Sequence, residues 1–299
     1  MMIDFAGMMA HERRKRQQER EKEKAMKDVP IATKLNSPEI VQLSSGPSSV
    51  WYCDTFLTDS EAATLEQAIR SQHRPAEWIP LAKRRLLNLG GVPHPDGMLG
   101  EELPAWMQPV LQRLEVVNAF PDGPPNQCLL NEYDIGQGID PHSDGPLFEP
   151  RAAVLSLCTP ALLQFLEPPT DQEALDIKAG QKRSWDQPVV ASVVLRPGSL
   201  VVFADEAYCR LLHGVADGSE EVIREHTINR DLVGAQPGDV VHRGNRLSLT
   251  LRRVKNVAVQ AGEFMQPAQQ AEIRRRRAWW ARSISEKVAE PVPAKENSN

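Results

Sequence analysis

"NRLSLTLRR", Asn245 to Arg253, alternates polar and apolar residues without a break from Arg246 onward to Arg252. Arg246, Ser248, Thr250 and Arg252 share one face of an extended chain, and Leu247, Leu249 and Leu251 share the other, because successive strand side chains point to opposite sides. The leucine face needs a second layer to cover it, so the segment predicts a sheet strand with one dry side. The polar face admits two readings. Its arginines either face solvent or close internal salt bridges, or they stand inside a barrel, where burial without an anionic partner is costly.

Working outward, the chain beyond Pro125 is dominated by strand-length runs: "QCLLNEYDI", "AAVLSLC", "ALLQFLE", "PVVASVVL", "SLVVFAD" and "YCRLLHGV". Turn signals separate them, and helical patterns are confined to the N-terminal side. There "TDSEAATLEQAIRS" opens with Thr58 and Glu61 in capping-box register and predicts a helix over 59–71. "AWMQPVLQRLEVVNAF" predicts a second helix interrupted by proline, "WIPLAKRRLLNLGG" a strand pair, and "VPHPDGMLGEELP" a loop. The expected fold is mainly β with N-terminal helices, an antiparallel barrel or double-sheet jelly roll rather than an alternating α/β fold. The expected organisation is a charged leader over 1–36, a helical lid over 37–124, a β core over 125–258 with a polar insertion at 216–243, and a basic tail over 259–299.

The 299 residues, 41% of them hydrophobic, suffice for a buried core, and the net charge of −5 argues against a chain held to nucleic acid by its overall field. A polyanion would have to meet a local patch. Cys53, Cys128, Cys158 and Cys209 lack the paired spacing of a zinc ribbon or a disulfide framework and read as buried free thiols. Neither a signal-peptide pattern nor a membrane-length apolar segment occurs, so nucleus or cytosol is the expected location.

Chemistry enters with "IDPHSDGPLFEP", Ile139 to Pro150. On a strand His142 and Asp144 would aim a nitrogen and a carboxylate at one point, although a His-x-Asp beside Gly and Pro is also an ordinary hydrogen-bonded turn. Of the remaining histidines only His213 ends an apolar strand-like run. Two histidines and a carboxylate leave positions open on an octahedral ion, as in non-haem Fe(II) oxygenases, while a three-ligand hydrolytic zinc site is the alternative. Asn131 and Tyr133 add two hydrogen-bonding groups to one face of another apolar run, and a buried dicarboxylate would give these and the arginines something to bind.

Asn-x-Tyr, then His-x-Asp, a later His and Arg-x5-Arg, in that order, resemble the AlkB family of Fe(II)- and 2-oxoglutarate-dependent dioxygenases. The wider text "LLNEYDIGQGIDPHSDGPLFEP", with "RRLLNLGGVPHPDGM", "SLC" and "RLLHG", is similar to the branch called AlkB homolog six. The resemblance covers residues 41–254 and implies a double-stranded β-helix using Fe(II), 2-oxoglutarate and O2. It matches His142, Asp144 and His213 to the iron ligands, and Arg246, assisted by Asn131 and Tyr133, to the group that pairs with the distal carboxylate of 2-oxoglutarate. Ser248 matches another co-substrate position, and Arg252 the arginine near the metal-chelating end or the substrate. The implied reaction hydroxylates an N-methyl carbon, and the hemiaminal collapses to formaldehyde and the demethylated amine. The implied substrate is a methylated RNA or DNA. A protein side chain, and a non-catalytic nucleic-acid-binding scaffold, are the alternatives, and the sequence names no protein partner.

For the substrate side, "WIPLAKRRLLNLGG" supplies Trp78, Lys83, Arg84 and Arg85. The basic groups could hold phosphates and the indole could stack on an extruded base. The plainer reading has Trp78 in the core and the triplet on an exposed edge. In the tail, Arg274 to Arg277 precede Trp279 and Trp280, and this pattern suits a nucleic-acid contact or a solvated helix equally.

Overall fold

The computed structural model describes residues 38–73, 77–170, 189–260, 271–272 and 274–275. In chain order these form β1 (Val41–Gln42), β2 (Val50–Cys53), α1 (Asp59–Gln72), β3 (Ile79–Leu81), β4 (Arg84–Leu89) and β5 (Met98–Gly100). A 3-10 turn (Ala105–Met107) leads into α2 (Gln108–Val116), followed by β6 (Gln127–Tyr133), β7 (Ile139–His142), β8 (Phe148–Leu157) and β9 (Ala161–Leu166). Then come β10 (Val189–Leu195), β11 (Leu200–Ala204), α3 (Asp205–Cys209), β12 (Leu212–Val215), β13 (Glu220–Val222), α4 (Arg230–Val233), β14 (Val240–His242), β15 (Arg246–Val254) and β16 (Val257–Gln260). The leader and nearly all of the expected basic tail lie outside the described residues.

The alternating segment, β15, sits in the middle of an eight-stranded sheet of order β1-β2-β11-β8-β15-β6-β4-β3. A second sheet of four strands runs β10-β9-β12-β7. Neighbours within both sheets are antiparallel, so the fold is mainly β, as the sequence predicts. Leu247, Leu249 and Leu251 are fully buried in a core shared with Leu65 and Ile69 of α1 and Val110 and Leu114 of α2. Burying each such leucine is worth about 2 kcal/mol. The polar face of the strand is buried as well, with Arg246, Ser248 and Arg252 at 3, 3 and 5% exposure. Helices therefore cover the dry side and the second sheet covers the polar side. Between the sheets lies another core that includes Val154, Phe165, Val193 and Phe203, with the Phe165 and Phe203 rings edge-on at 5.5 Å.

Helix α1 follows from its cap and its spacing. Thr58 accepts from the Glu61 N–H while the Glu61 carboxylate accepts from the Thr58 N–H, and Ala62, Leu65, Ala68 and Ile69 form its buried face. Arg113 of α2 donates through both Nη atoms to the Glu61 carboxylate at 2.8 Å, clamping the two helices.

Several local expectations change. The segment read as a loop after Gly91 contains β5, which pairs in parallel with β16. Pro109 does not interrupt the second helix but sits in its first turn, where its missing N–H costs nothing. "YCRLLHGV" is not one strand, because Tyr208 and Cys209 close α3 and β12 begins at Leu212. The Gly- and Pro-rich stretch after Asp144 is short, since β8 starts at Phe148. Cys209 is exposed rather than buried. The polar insertion is folded: β13 and β14 form a hairpin, and Asn229 accepts from the Val194 N–H and donates to its carbonyl, both at 2.9 Å. Together with the Ser192–Thr227 hydroxyl contact, these bonds cap β10, the edge of the smaller sheet, so the insertion's polar residues satisfy an edge that would otherwise invite pairing. No helix among the described residues is long and apolar enough to cross a membrane.

Candidate active site

The two sheets bring the motif residues together from separate elements. His142 ends β7 and is the register partner of His213 on β12, which sets their rings at a centroid distance of 4.4 Å. Asp144 lies two residues beyond the end of β7, so it reaches the histidines from the turn after the strand rather than from the strand itself. Candidate ligand atoms of His142, Asp144 and His213 all lie within 4.8 Å of one another. His213 Nε2 and Asp144 Oδ2 are 4.0 Å apart. That is too long for a hydrogen bond.

Protonation favours the same use. The His142 Nδ1 is 2.9 Å from the Asp140 carbonyl; as Nδ1–H it donates there and leaves the Nε2 lone pair for a ligand. Burial holds the His142 imidazole below its ordinary value, and burial, reinforced by the neighbouring His142, pushes His213 down to about 3. Both rings are neutral at physiological pH. Burial alone would raise the Asp144 carboxyl, but the neighbouring charge of Arg252 outweighs it and holds the group below its ordinary value. Arg252 donates from Nη1 to Asp144 Oδ1 and lies over the Phe148 ring at 4.2 Å. Asp144 Oδ2 is buried without a hydrogen-bond partner. One carboxylate oxygen is thus committed and the other is free to bind a single ion, which fits a 2-His-1-carboxylate donor set.

Behind this triad stands the row of groups that β15 and its neighbours share. Arg246 is paired in register with Tyr133, and Ser248 with both Asn131 and Ser156, so their side chains project from one face. Arg246 donates from Nη2 to Ser156 at 2.9 Å and Ser248 at 3.2 Å and covers the Tyr133 ring at 5.5 Å. Its Nε is buried without a partner, and burial pulls its guanidinium below the ordinary value. Among the described residues no carboxylate lies within ion-pair distance of it. A buried guanidinium in this state is complementary to an incoming carboxylate.

The substrate-side candidates separate. Register pairs Arg85 with Glu132 and Leu86 with Asn131, so consecutive arginines of β4 face opposite ways. Arg84 points to the site face and donates from Nε to Asn131 Oδ1 at 3.1 Å. Arg85 faces the helices, pairs with Glu132 and lies over Trp78 at 4.8 Å, and Trp78 is part of the core. Lys83 bridges Asp140 at 2.8 Å and Asp217 at 2.7 Å, joining the β3–β4 turn to β7 and the insertion. Three further residues belong to the site that sequence reasoning did not single out: Ser156 and Phe148, described above, and Tyr208. The Tyr208 hydroxyl faces the Gly145 carbonyl at 3.4 Å beside Asp144, and its ring is stacked on Phe203. The quoted "SLC" contained Ser156, but nothing in the linear pattern marked the other two.

The family model of the 2OG-Fe(II) oxygenase superfamily matches residues 57–252. The chain is 34% identical over 223 residues to the probable RNA/DNA demethylase ALKBH6 of Danio rerio, spanning 75% of this chain and 92% of the relative. It is 26% identical over 243 residues to the alkylated DNA repair protein ALKBH8 homolog of Arabidopsis thaliana, spanning 76% of this chain and 65% of that protein. Among solved structures, that of OsALKBH1 aligns over 72% of this chain and 100% of its own with 16% identity and a TM-score of 0.44.

Proposed function

Because this chain belongs to the 2OG-Fe(II) oxygenase superfamily, and within it to the AlkB family, it is a 2-oxoglutarate-dependent dioxygenase, and we propose that it removes methyl groups oxidatively from a methylated RNA or DNA. Fe(II), 2-oxoglutarate and O2 are the cofactor and co-substrates this membership implies. The observation that carries the reading is the pairing of a neutral His142–His213 set and a half-free Asp144 carboxylate with a buried Arg246 that has no carboxylate of its own. In the finer fold reading the two antiparallel sheets are a double-stranded β-helix with helices on its N-terminal side; the site's position between the sheets supports it.

In this proposal His142 Nε2, Asp144 Oδ2 and His213 hold the iron. The chemistry the bound metal supplies is oxidation of a substrate C–H bond coupled to conversion of 2-oxoglutarate to succinate and carbon dioxide. The chain's own residues do the rest. Arg246 forks onto the distal carboxylate of the co-substrate, with Ser248, Tyr133 and Asn131 around it. Arg252 keeps Asp144 ionised and turned, and its position at the metal end puts a second cation near the other carboxylate. Phe148 under Arg252 and Phe203 against His213 at 4.8 Å exclude water. Hydroxylation of an N-methyl carbon then needs no protein base, since the hemiaminal loses formaldehyde unaided. Arg84 is the basic residue of its triplet that faces the site, which suits a phosphate flanking the target base.

The test is incubation of iron-loaded protein with 2-oxoglutarate, ascorbate and N-methylated single-stranded RNA and DNA oligonucleotides. Formaldehyde released in step with succinate is the expected result. Succinate driven by peptides and by no oligonucleotide would move the substrate to a protein side chain, a reading favoured by the internal ion pairing of Lys83 and Arg85. Oligonucleotide binding without 2-oxoglutarate binding or turnover would leave only a scaffold.

A further inference from the structure

Strand β7, which ends in His142, lies at an edge: the order β10-β9-β12-β7 gives it one hydrogen-bonded neighbour, and its pairing with β12 is irregular between His213 and Val215. A strand with one partner opens more readily than one with two. Braces from outside its sheet hold it on two flanks. The loop before β7 is pinned to the start of the insertion, where the Gly218 N–H donates to the Gly136 carbonyl at 3.0 Å and Arg243 donates to the carbonyls of Gln137 and Ala216. Packing there is close enough that a Cβ on Gly138 would lie 2.3 Å from the Val215 carbonyl oxygen. On the other flank, the two-residue turn Ala82–Lys83 between β3 and β4 sends the Lys83 ammonium to Asp140 Oδ1 at 2.8 Å and Asp217 Oδ2 at 2.7 Å. Strands β3 and β4 belong to the larger sheet and β7 to the smaller. The lysine therefore staples a hairpin at the rim of one sheet to the edge strand of the other.

Asp140 also touches the site directly. Its carbonyl faces His142 Nδ1 at 2.9 Å, the contact that leaves Nε2 for a ligand, so Lys83, Asp140 and His142 are joined in series by contacts of 2.8 and 2.9 Å. We infer that Lys83 is a positioning residue for the metal site, holding Asp140 so that its carbonyl fixes the tautomer and direction of the His142 ring. The inference rests on the assignment of His142 as a metal ligand made above. The Lys83, Asp140 and Asp217 side chains are 33, 70 and 48% exposed, and exposed ion pairs contribute little to global stability. The effect is accordingly local, on the grip of the metal rather than on unfolding. Its direction is diagnostic, because losing a nearby cation through the field alone would tighten a divalent ion, whereas losing a brace on its ligand loosens it.

The experiment measures Mn(II) binding to full-length metal-free protein by calorimetry, and hydrogen exchange of the peptide spanning residues 136–142 by mass spectrometry. Partners that hydrogen-bond a metal-ligating histidine change affinity by about 10–100-fold, and Lys83 acts one step further out, so Lys83→Met is expected to raise the Mn(II) Kd by about threefold to tenfold. Exchange in the peptide is expected to speed up in the same variant. Lys83→Arg, which keeps a charged donor for both carboxylates, is expected to stay near the parent value in both measurements. A Kd that is unchanged or lowered in Lys83→Met overturns the inference; if that variant also binds an unmethylated single-stranded oligonucleotide more weakly, the lysine is a phosphate contact instead. His142→Ala separates the two levels. Loss of Mn(II) binding there without weakening in Lys83→Met defeats the inference alone, whereas undiminished binding in His142→Ala defeats the metal assignment as well.

Discussion

Asp144 divides its carboxylate between a buried cation and an open position. Its Oδ1 answers the buried Arg252 cation and its Oδ2 stays open. Asp144→Asn is expected to abolish succinate formation and, in metal-free protein, to cost about 3–5 kcal/mol in urea unfolding, because it leaves Arg252 buried without a counter-charge. Ser156→Ala removes a hydrogen bond to Arg246; a bond to a charged group is worth about 1.5–3 kcal/mol, so KM for 2-oxoglutarate should rise by roughly tenfold while the fold persists. At this scale the ordered histidine, carboxylate and arginine pattern made the motif residues legible, since each type has a spacing on the chain. Ser156, Phe148 and Tyr208 were not legible because they join the site through cross-strand register and a short helix. Nor could the sequence tell Lys83, Arg84 and Arg85 apart: three adjacent cations look alike until a strand sends Arg84 and Arg85 to opposite faces.

At the scale of elements, helix α1 shows local signals and tertiary clamps acting together. Thr58→Ala should cost about 1 kcal/mol through loss of the cap, read from thermal or urea unfolding. Hydrogen bonds from Arg113, helped by Thr58, hold the Glu61 carboxyl below its ordinary value despite partial burial. A depressed carboxyl contributes stability above its unfolded value and loses it as pH falls through the folded one. Arg113→Met should therefore flatten the fall of stability on acidification below about pH 4.5. Asn229→Ala strands the N–H and carbonyl of Val194 at the edge of the smaller sheet; about 2–3 kcal/mol of destabilisation is expected. The capped helix and the apolar strands were readable because their causes are local. Strand β5 was not, since its strand partner β16 comes far later in the chain, and the insertion read only as polar because its polar residues are spent on an edge the linear pattern does not display.

The whole molecule places its chemistry where two sheets meet: the smaller sheet and the turn after β7 present His142, Asp144 and His213, and the larger one presents Arg246 and Arg252. A divalent ion bound there ties β12 to β7 and the turn after it, so Mn(II) added to metal-free protein should raise Tm, and a chelator or His142→Ala should remove the increment. Mainly β architecture was legible from the succession of short apolar runs, whereas the order of strands was not, because sheet neighbours are set by packing of distant segments. That order has a consequence for how the protein comes into being. Strand β15 lies between β8 and β6, yet it is the last of the large sheet to leave the ribosome. A nascent chain that stops at Asn245 holds β1-β2-β11-β8 and β6-β4-β3 as two unjoined pieces, each with an open apolar edge. Both site arginines are then still unmade. The last strand thus both joins the sheet and completes the site, and a chain truncated before it is expected to be inactive and prone to associate through its two open edges.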